Sequence, residues 1–323
     1  MTEGFLKAIH EGHSFAICQL PGTKTVLEFL QKDGELVDPA GRIWLARPFD
    51  EVEQEKQQTA STSRESHISV VSSAIQMLQS KELDKVVISK IKKVNLPFSV
   101  DSDSIQKAFE ILTQKYPNAF VFIYRMNVHS VWLGATPETL IALNEGKLST
   151  MSLAGTRLKA QDNSTWGEKE IREQQVVTDF IATTIQANGG KNVQISAPFT
   201  ASAAHLEHLK STIEFESTNT IHFWAQALHP TPAICGLPIE RAKSVISQLE
   251  SHSRKMYAGY LGYSDVSGNG RVFVQLRCME WINDSAIIYS GGGIMADSNP
   301  ESEWDEAENK ANVMISVLES MKN

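Results

Sequence analysis

Residues 287–321, IIYSGGGIMADSNPESEWDEAENKANVMISVLESM, run from a β-favouring segment through three glycines into a long helix. Residues 287–289 are apolar and extended by preference, and Gly291, Gly292 and Gly293 present only backbone to whatever lies opposite. Ser298 with Glu301 three positions on has the spacing of a capping box, and Pro300 suits a first helical turn, so the helix should start near Asn299. At roughly 100° per residue, its apolar stripe is Val313, Met314, Val317, Leu318 and Met321. Glu303, Glu306 and Lys310 project onto that same stripe. A glutamate pair at i, i+3 usually marks a solvated face. On the apolar side it needs a partner, because buried charge is costly unless paired or bound to a metal.

A second segment repeats the pattern. Residues 166–185 predict a helix whose apolar stripe is Val177, Phe180, Ile181, Thr184 and Ile185, with Glu170 and Glu173 on it, again i and i+3. Four inward carboxylates from two helices favour a hard divalent cation held by oxygen, most simply Mg²⁺ with some waters retained. A proton-sharing carboxylate cluster without metal is the alternative.

Composition sets the frame for such a site. The chain has 323 residues, 41% hydrophobic and 21% charged, enough for a sizeable core, and its net charge of −8 gives no reason to expect nucleic-acid binding. An acidic chain that binds an anion must do so with local positive charge or a metal. Cys18, Cys235 and Cys278 are odd in number and form no CxxC, so they read as reduced thiols. The N-terminal residues lack the blocks of a signal peptide, and no apolar run is long enough to cross a bilayer, so a soluble cytoplasmic protein is expected.

The rest of the chain supplies elements and isolated candidates. Residues 1–50 hold short apolar runs at 15–20, 25–30 and 43–46 that predict short strands, and the polar residues 51–65 predict a loop. A helix is expected over 66–79, then a β-branched strand opening on Lys85, which by itself reads as a solvated strand end. A helix over 102–115, paired strands at 119–125 and 130–133, and a strand running into SLAGTR follow. Gly155 in that motif marks a close approach of backbone, or equally a tight sheet crossing. Residues 196–210 are mixed and loop-like, with His205 and His208 near their end; Thr220 can cap a helix reaching Leu228, and 238–250 is amphipathic. Residues 256–282 predict a hairpin turning at 268–270, with Arg277 inside an apolar strand and in need of a carboxylate partner from the protein or a ligand.

Taken together, LDKVVISK, GATPETL, SLAGTR, EKEIREQQVV, LHPTPAICG, MYAGYLG and SGGGIMADSNPESEWDEAENK resemble the chorismate-utilising enzymes, in order from about Ser66 to Val317. That family includes isochorismate, salicylate, anthranilate and aminodeoxychorismate synthases. The resemblance implies an α/β (α+β) fold of stacked, mostly antiparallel sheets flanked by helices, as a single chorismate-binding domain over 1–323, with 1–65 an abbreviated N-terminal part and 66–323 the catalytic core. It implies Lys85 as general base, Glu138 as general acid, and Glu173 and Glu306 as Mg²⁺ ligands, with Glu170 and Glu303 as nearby carboxylates. Tyr257, Arg277, Lys310, Thr156, Ala233 and backbone at Gly155, Gly291 and Gly293 match substrate contacts, and His208 matches a pocket histidine.

Within that family, Lys85 is similar to members that activate water, whereas ammonia-using members carry Gln there. Ala233 and Ile234 resemble the Ala-Leu pair of isochorismate synthases rather than the Thr-Ala of salicylate synthases. Gln174, Lys90 and Gly292 depart from the family's His, Arg and Ala. The implied activity is Mg²⁺-dependent conversion of chorismate to isochorismate, with salicylate synthase or a non-catalytic chorismate-binding protein as alternatives. No glutaminase subunit is expected, the expected state is monomer or homodimer, and the product would serve menaquinone or a catechol siderophore, menaquinone being preferred. Such a base must lose its proton near neutral pH, and Glu138 must keep one.

Overall fold

The computed structural model describes residues 1–50, 56, 60–127, 129–159, 165–203 and 206–322. Helix α1 (Glu3–His10) opens the chain, followed by β1 (Phe15–Gln19), β2 (Val26–Lys32), β3 (Glu35–Val37) and β4 (Ile43–Arg47). Next come α2 (Arg64–Gln79), β5 (Lys85–Asn95), α3 (Ser102–Lys115), β6 (Phe120–Asn127), β7 (Ser130–Thr136), β8 (Thr139–Asn144) and β9 (Lys147–Leu158). Helix α4 (Glu168–Ala187) leads to β10 (Lys191–Ile195), β11 (Phe199–Ala203), β12 (Leu206–Glu216), α5 (Ile221–Leu228), β13 (Gly236–Leu237) and α6 (Ile239–Leu249). The last elements are β14 (Tyr260–Ser264), β15 (Gly270–Val274), β16 (Cys278–Ile282), β17 (Ser285–Ile294) and α7 (Pro300–Met321).

Every described strand pairing is antiparallel, as the resemblance implied for most of them. One run of neighbours is β12–β9–β8–β15–β14–β4, and the other is β2–β1–β6–β7–β16–β17–β5–β13. Short β3 joins them, pairing with β2 on one side and β4 on the other. The two runs face each other: Phe273 of β15 stacks on Phe120 of β6 with centroids 4.0 Å apart, and Trp44 of β4 lies 5.8 Å from Tyr124 of β6. Helices α1, α3 and α7 cover the outside of the second run through Phe5, Phe109, Met314 and Val317. Helix α4 covers β9 and β12 of the first.

Local chemistry explains most boundaries. Asn299, not Ser298, caps α7, its side chain accepting from the Glu301 and Ser302 amides at 3.0 and 3.1 Å; the Ser298 hydroxyl instead accepts from the Met295 amide, so no capping box forms. Thr220 caps α5 as its sequence implies, accepting from Phe223 N at 3.2 Å. Helix α1 was not visible in the sequence, although Thr2 caps it and Phe5 and Ile9 are buried at i, i+4. Residues 196–210, expected to be loop-like, are largely strand, because β11 and β12 pair across a short connection. His205 lies outside the described residues, as do 51–55 and 57–59 of the expected loop; Arg64 and Glu65 already belong to α2.

The two glutamate-bearing helices place their charges inward as their phase requires. Glu173 is 9% exposed and Glu303 is 2% exposed. On α4 the cost of desolvating one carboxylate, several kcal/mol, is offset by Val177, Ile181 and Ile185, all buried, at roughly 1.5–3 kcal/mol each. The helix can therefore hold a buried acid without being unstable. Lys85 corrects its own sequence reading: it opens β5 as expected but is fully buried, not a solvated strand end.

Candidate active site

The cleft lies against the end of β17, where the three glycines meet β9, β12 and the loop before β16. Glu138, Gly155, Thr156, Glu173, His208, Ala233, Tyr257, Arg277, Gly291, Gly293 and Lys310 all line it, so eleven residues singled out in the sequence share one space. Lys85 does not face that space directly; it reaches the cleft through Glu173, whose Oε1 lies 2.9 Å from Lys85 Nζ. The angles of this pair fall short of a hydrogen bond, and Lys85 Nζ has no other partner among the described residues.

These groups crowd the backbone most tightly at Gly293, whereas a methyl at Gly292 would need the glutamate tips to give by only a few tenths of an ångström. A Cβ on Gly293 would stand 2.2 Å from Glu173 Oε1 and 2.9 Å from Lys85 Cε, and one on Gly292 would stand 3.2 Å from Glu303 Oε2 and 3.4 Å from Glu306 Oε1. Gly293→Ala is therefore expected to displace the Lys85–Glu173 pair and lower turnover roughly tenfold to a hundredfold. Steady-state kinetics on a variant with an unchanged circular dichroism spectrum checks this; normal turnover would show that the close approach is dispensable.

Gly155 has φ +70°, and a Cβ there would stand 3.0 Å from Glu170 Cβ, so the close approach expected at this glycine is to α4. It is also a β-bulge: His208 of β12 pairs with Thr156 and Leu209 with Ala154, leaving Gly155 as the extra residue. The bulge carbonyl lies 3.1 Å from His208 Nδ1, and Thr156 Oγ1 lies 3.2 Å from it. Because an arginine can only donate, the 3.2 Å contact from Arg277 Nη2 to His208 Nε2 makes Nε2 the acceptor and puts the proton on Nδ1. Burial, reinforced by Arg277 and Lys310, holds His208 well below its ordinary value, so it is neutral.

Arg277 corrects the sequence reading in its setting. It lies between β15 and β16 rather than in a strand, with φ +48°, and no carboxylate pairs with it among the described residues. Burial lowers it to about 10, which leaves it charged at neutral pH and available to an anion. Glu138 shows the opposite perturbation: burial raises its carboxyl to about 7, with Lys85, Lys310 and Arg277 pulling partly back.

Three lysines neutralise the carboxylates around the glycines. Lys85 is beside Glu173, Lys169 is 2.6 Å from Glu303, and Lys310 is 2.6 Å from Glu306 and 2.9 Å from the Gly291 carbonyl. Burial favours the neutral acid at Glu173, but Lys85, Lys310 and Lys169 outweigh it and keep the carboxylate ionised. Glu303 goes the other way, raised by burial and then by Glu306. Its Oε2 is buried without a well-formed hydrogen bond among the described residues, although the nearby Ser298 hydroxyl eases its charge. Glu170, Glu303 and Glu306 line an adjoining space rather than the cleft itself. Among the described residues no three His, Cys, Asp or Glu side chains gather closely enough to form a ready cage for one ion.

Sequence reading missed the framework behind the cleft. Arg254, fully buried, binds both oxygens of Glu250 at 2.9 and 2.6 Å and donates to the carbonyls of Ile234 and Val87, each at 2.8 Å. The Ser89 amide donates to the same glutamate at 2.7 Å. This ion pair thus ties β5, which carries Lys85, to the loop carrying Ala233. The i, i+4 spacing of Glu250 and Arg254 just ahead of Tyr257 was the available signal. The family departures are also absorbed: Gln174 Nε2 lies 2.9–3.0 Å from the hydroxyls of Ser152, Thr178 and Ser211, and Lys90 pairs with Glu308 beneath the Trp304 ring.

A sandwich of antiparallel runs with buried acids and bases at a glycine-rich strand end defines the class. The chain belongs to the chorismate binding enzyme family, whose model matches residues 40–319. Among curated relatives, it is 27% identical over 260 residues to isochorismate synthase EntC of Escherichia coli, covering 77% of this chain and 66% of that one. It is 29% identical over 266 residues to isochorismate synthase MenF of Haemophilus influenzae, covering 78% and 60%. The matches thus span less than two thirds of these relatives' own length. The solved structure of MenF, the menaquinone-specific isochorismate synthase of E. coli, superposes with a TM-score of 0.84 at 19% identity, over 98% of this chain and 91% of that one. No described helix is long and apolar enough to cross a membrane.

Proposed function

We propose that the protein is an isochorismate synthase, an isomerase that adds water at ring C2 of chorismate while the C4 hydroxyl leaves and the double bonds shift. One observation carries the reading: Glu138, a cleft carboxyl raised to about 7 by burial, stands within the field of a fully buried lysine, Lys85, which reaches the same cleft through Glu173. Hydroxide is a poor leaving group and water a weak nucleophile, so the reaction needs an acid and a base. Glu138 keeps its proton into the neutral range and gives it to the departing hydroxyl. Lys85, 2.9 Å from Glu173, takes the proton of the attacking water in its neutral amine form, having first given up its own proton.

Arg277 grips a substrate carboxylate with its forked donors, oriented by neutral His208, and Tyr257 and Lys310 complete that wall. Backbone at Gly155, Gly291 and Gly293, with Thr156 and Ala233, shapes the space around the ring. The donor chemistry fits Mg²⁺, all carboxylate oxygens with a buried Glu303 oxygen unsatisfied, although among the described residues no three of these groups gather about one point. Glu173 and Glu306 would hold the ion, with Glu170 and Glu303 near it. When bound, it would neutralise charge between an acidic protein and a ring carboxylate and fix the ring.

We take residues 1–323 as one chorismate-binding domain, acting as monomer or homodimer without a glutaminase subunit. Buried free thiols at Cys18, Cys235 and Cys278 favour a reducing, cytoplasmic setting. Incubation of the purified protein with chorismate and Mg²⁺ is expected to give isochorismate alone, and chelation with EDTA to abolish it. Salicylate plus pyruvate would identify a salicylate synthase, product only with ammonia an amination enzyme, and binding without turnover a non-catalytic protein.

A further inference from the structure

The cleft has two neighbours whose walls carry opposite charge. One is walled by Lys115, Lys159, Lys210 and Arg277, with no Asp or Glu in its lining. In the other, Glu170, Glu303, Asp305 and Glu306 outnumber Arg157 and Lys169. The basic space has the broader contact with the cleft: Pro137, Leu153, His208 and Arg277 line both, whereas only Thr156 is shared with the acidic one.

The basic wall is unspent. Among the described residues none of its four cations pairs with a carboxylate: Lys115 is held by the Ser316 carbonyl at 3.0 Å, and Lys210 lies 5.9 Å from the Phe199 ring. Lys210 is two residues from His208 on β12, so both project from one face, along a line leading to Arg277. Burial pulls the Lys210 ammonium below its ordinary value with no acid to offset it, so an arriving anion relieves it. A chain of net charge −8 repels a dianion at long range, so an anionic substrate needs local positive charge near the cleft, and these cations supply it.

We propose that the basic cavity is the approach route of the anionic substrate, with Lys159 and Lys210 drawing the dianion in and passing it to Arg277. The route rests on the proposed reading that the substrate carries two carboxylates.

The test compares the double variant Lys159→Glu/Lys210→Glu with a control, Lys32→Glu combined with Lys24→Glu. The control makes the same change in net charge at exposed positions outside the linings of all three spaces. The association rate constant for chorismate, followed by stopped-flow protein fluorescence at low ionic strength, is expected to fall about tenfold in the first variant. Its kcat should stay within about twofold, and the difference should close near 0.5 M salt, where screening is almost complete. An equal loss in the control would show that net charge alone matters, and no loss, or a matching fall in kcat, would also overturn the route. If the unaltered protein neither binds nor converts chorismate, the substrate reading itself fails, and that result is distinct from all of these.

Discussion

Lys85→Ala is expected to abolish measurable hydration, a loss of roughly 10²–10⁴-fold in kcat, while leaving chorismate binding largely intact. The side chain is fully buried and does not line the open space, so its removal takes no contact from the substrate-carboxylate wall built by Arg277 and Lys310. Alanine does strip Glu173 of its nearest cation, and an uncompensated buried charge costs roughly 3–5 kcal/mol. Lys310 and Lys169 still act on Glu173 and moderate that cost. Lys85→Met, which keeps the buried aliphatic chain without the amine and leaves Glu173 in place, separates lost chemistry from a lost side chain. Product quantified by chromatography, beside calorimetric binding of chorismate, decides the matter: near-normal isochorismate output from either variant removes Lys85 from the role of base.

Glu138→Gln has a comparable effect on rate and the opposite effect on stability. Glutamine keeps the shape and cannot donate an acidic proton, so kcat is expected to fall roughly 10²–10⁴-fold. In the unaltered protein the acid is lost as pH rises through about 7, giving an alkaline limb to the rate profile that the variant should lack. The linkage sign follows from the raised value. Between the ordinary carboxyl range and about 7 the folded state holds a proton that the unfolded chain has released, so stability declines as pH rises through that window. Above it the full penalty of a buried carboxylate is present, roughly 3 kcal/mol for a shift of this size. The glutamine variant should therefore unfold at a higher temperature than the parent at pH 8 and show no such gain near pH 4. Equal melting temperatures at pH 8 would show that Glu138 is not held protonated by its surroundings.

Much of this site was legible because helical phase is a local property. Glu170, Glu173, Glu303 and Glu306 fall on apolar stripes whatever the rest of the chain does, and burial of Glu173 and Glu303 bears that out. Lys85 shows the limit of local reasoning: the start of a strand is solvated by default, and only the distant pairing of β5 with β13 and β17 buries it. Arg277 was misplaced because apolar neighbours on both sides read as one strand, whereas the chain breaks between β15 and β16 and turns with positive φ. The segment around His208 looked irregular for a related reason: the bulge at Gly155 sits on the partner strand, and no periodicity within 196–210 encodes it. The i, i+4 spacing of Glu250 and Arg254 could have been read locally, but their burial and the bond from Arg254 to the Val87 carbonyl, more than a hundred residues away, could not.

The family match begins at residue 40, yet β1, β2 and β3 all precede it. Among the described pairings, β3 is the sole bridge between the two runs, touching β4 through one residue pair, Val37 with Ile43. The unmatched leader is thus the spine of a folded book. Without it the β6 margin would lie bare, and the two covers would be held by face-to-face packing alone, with no strand pairing between them among the described residues.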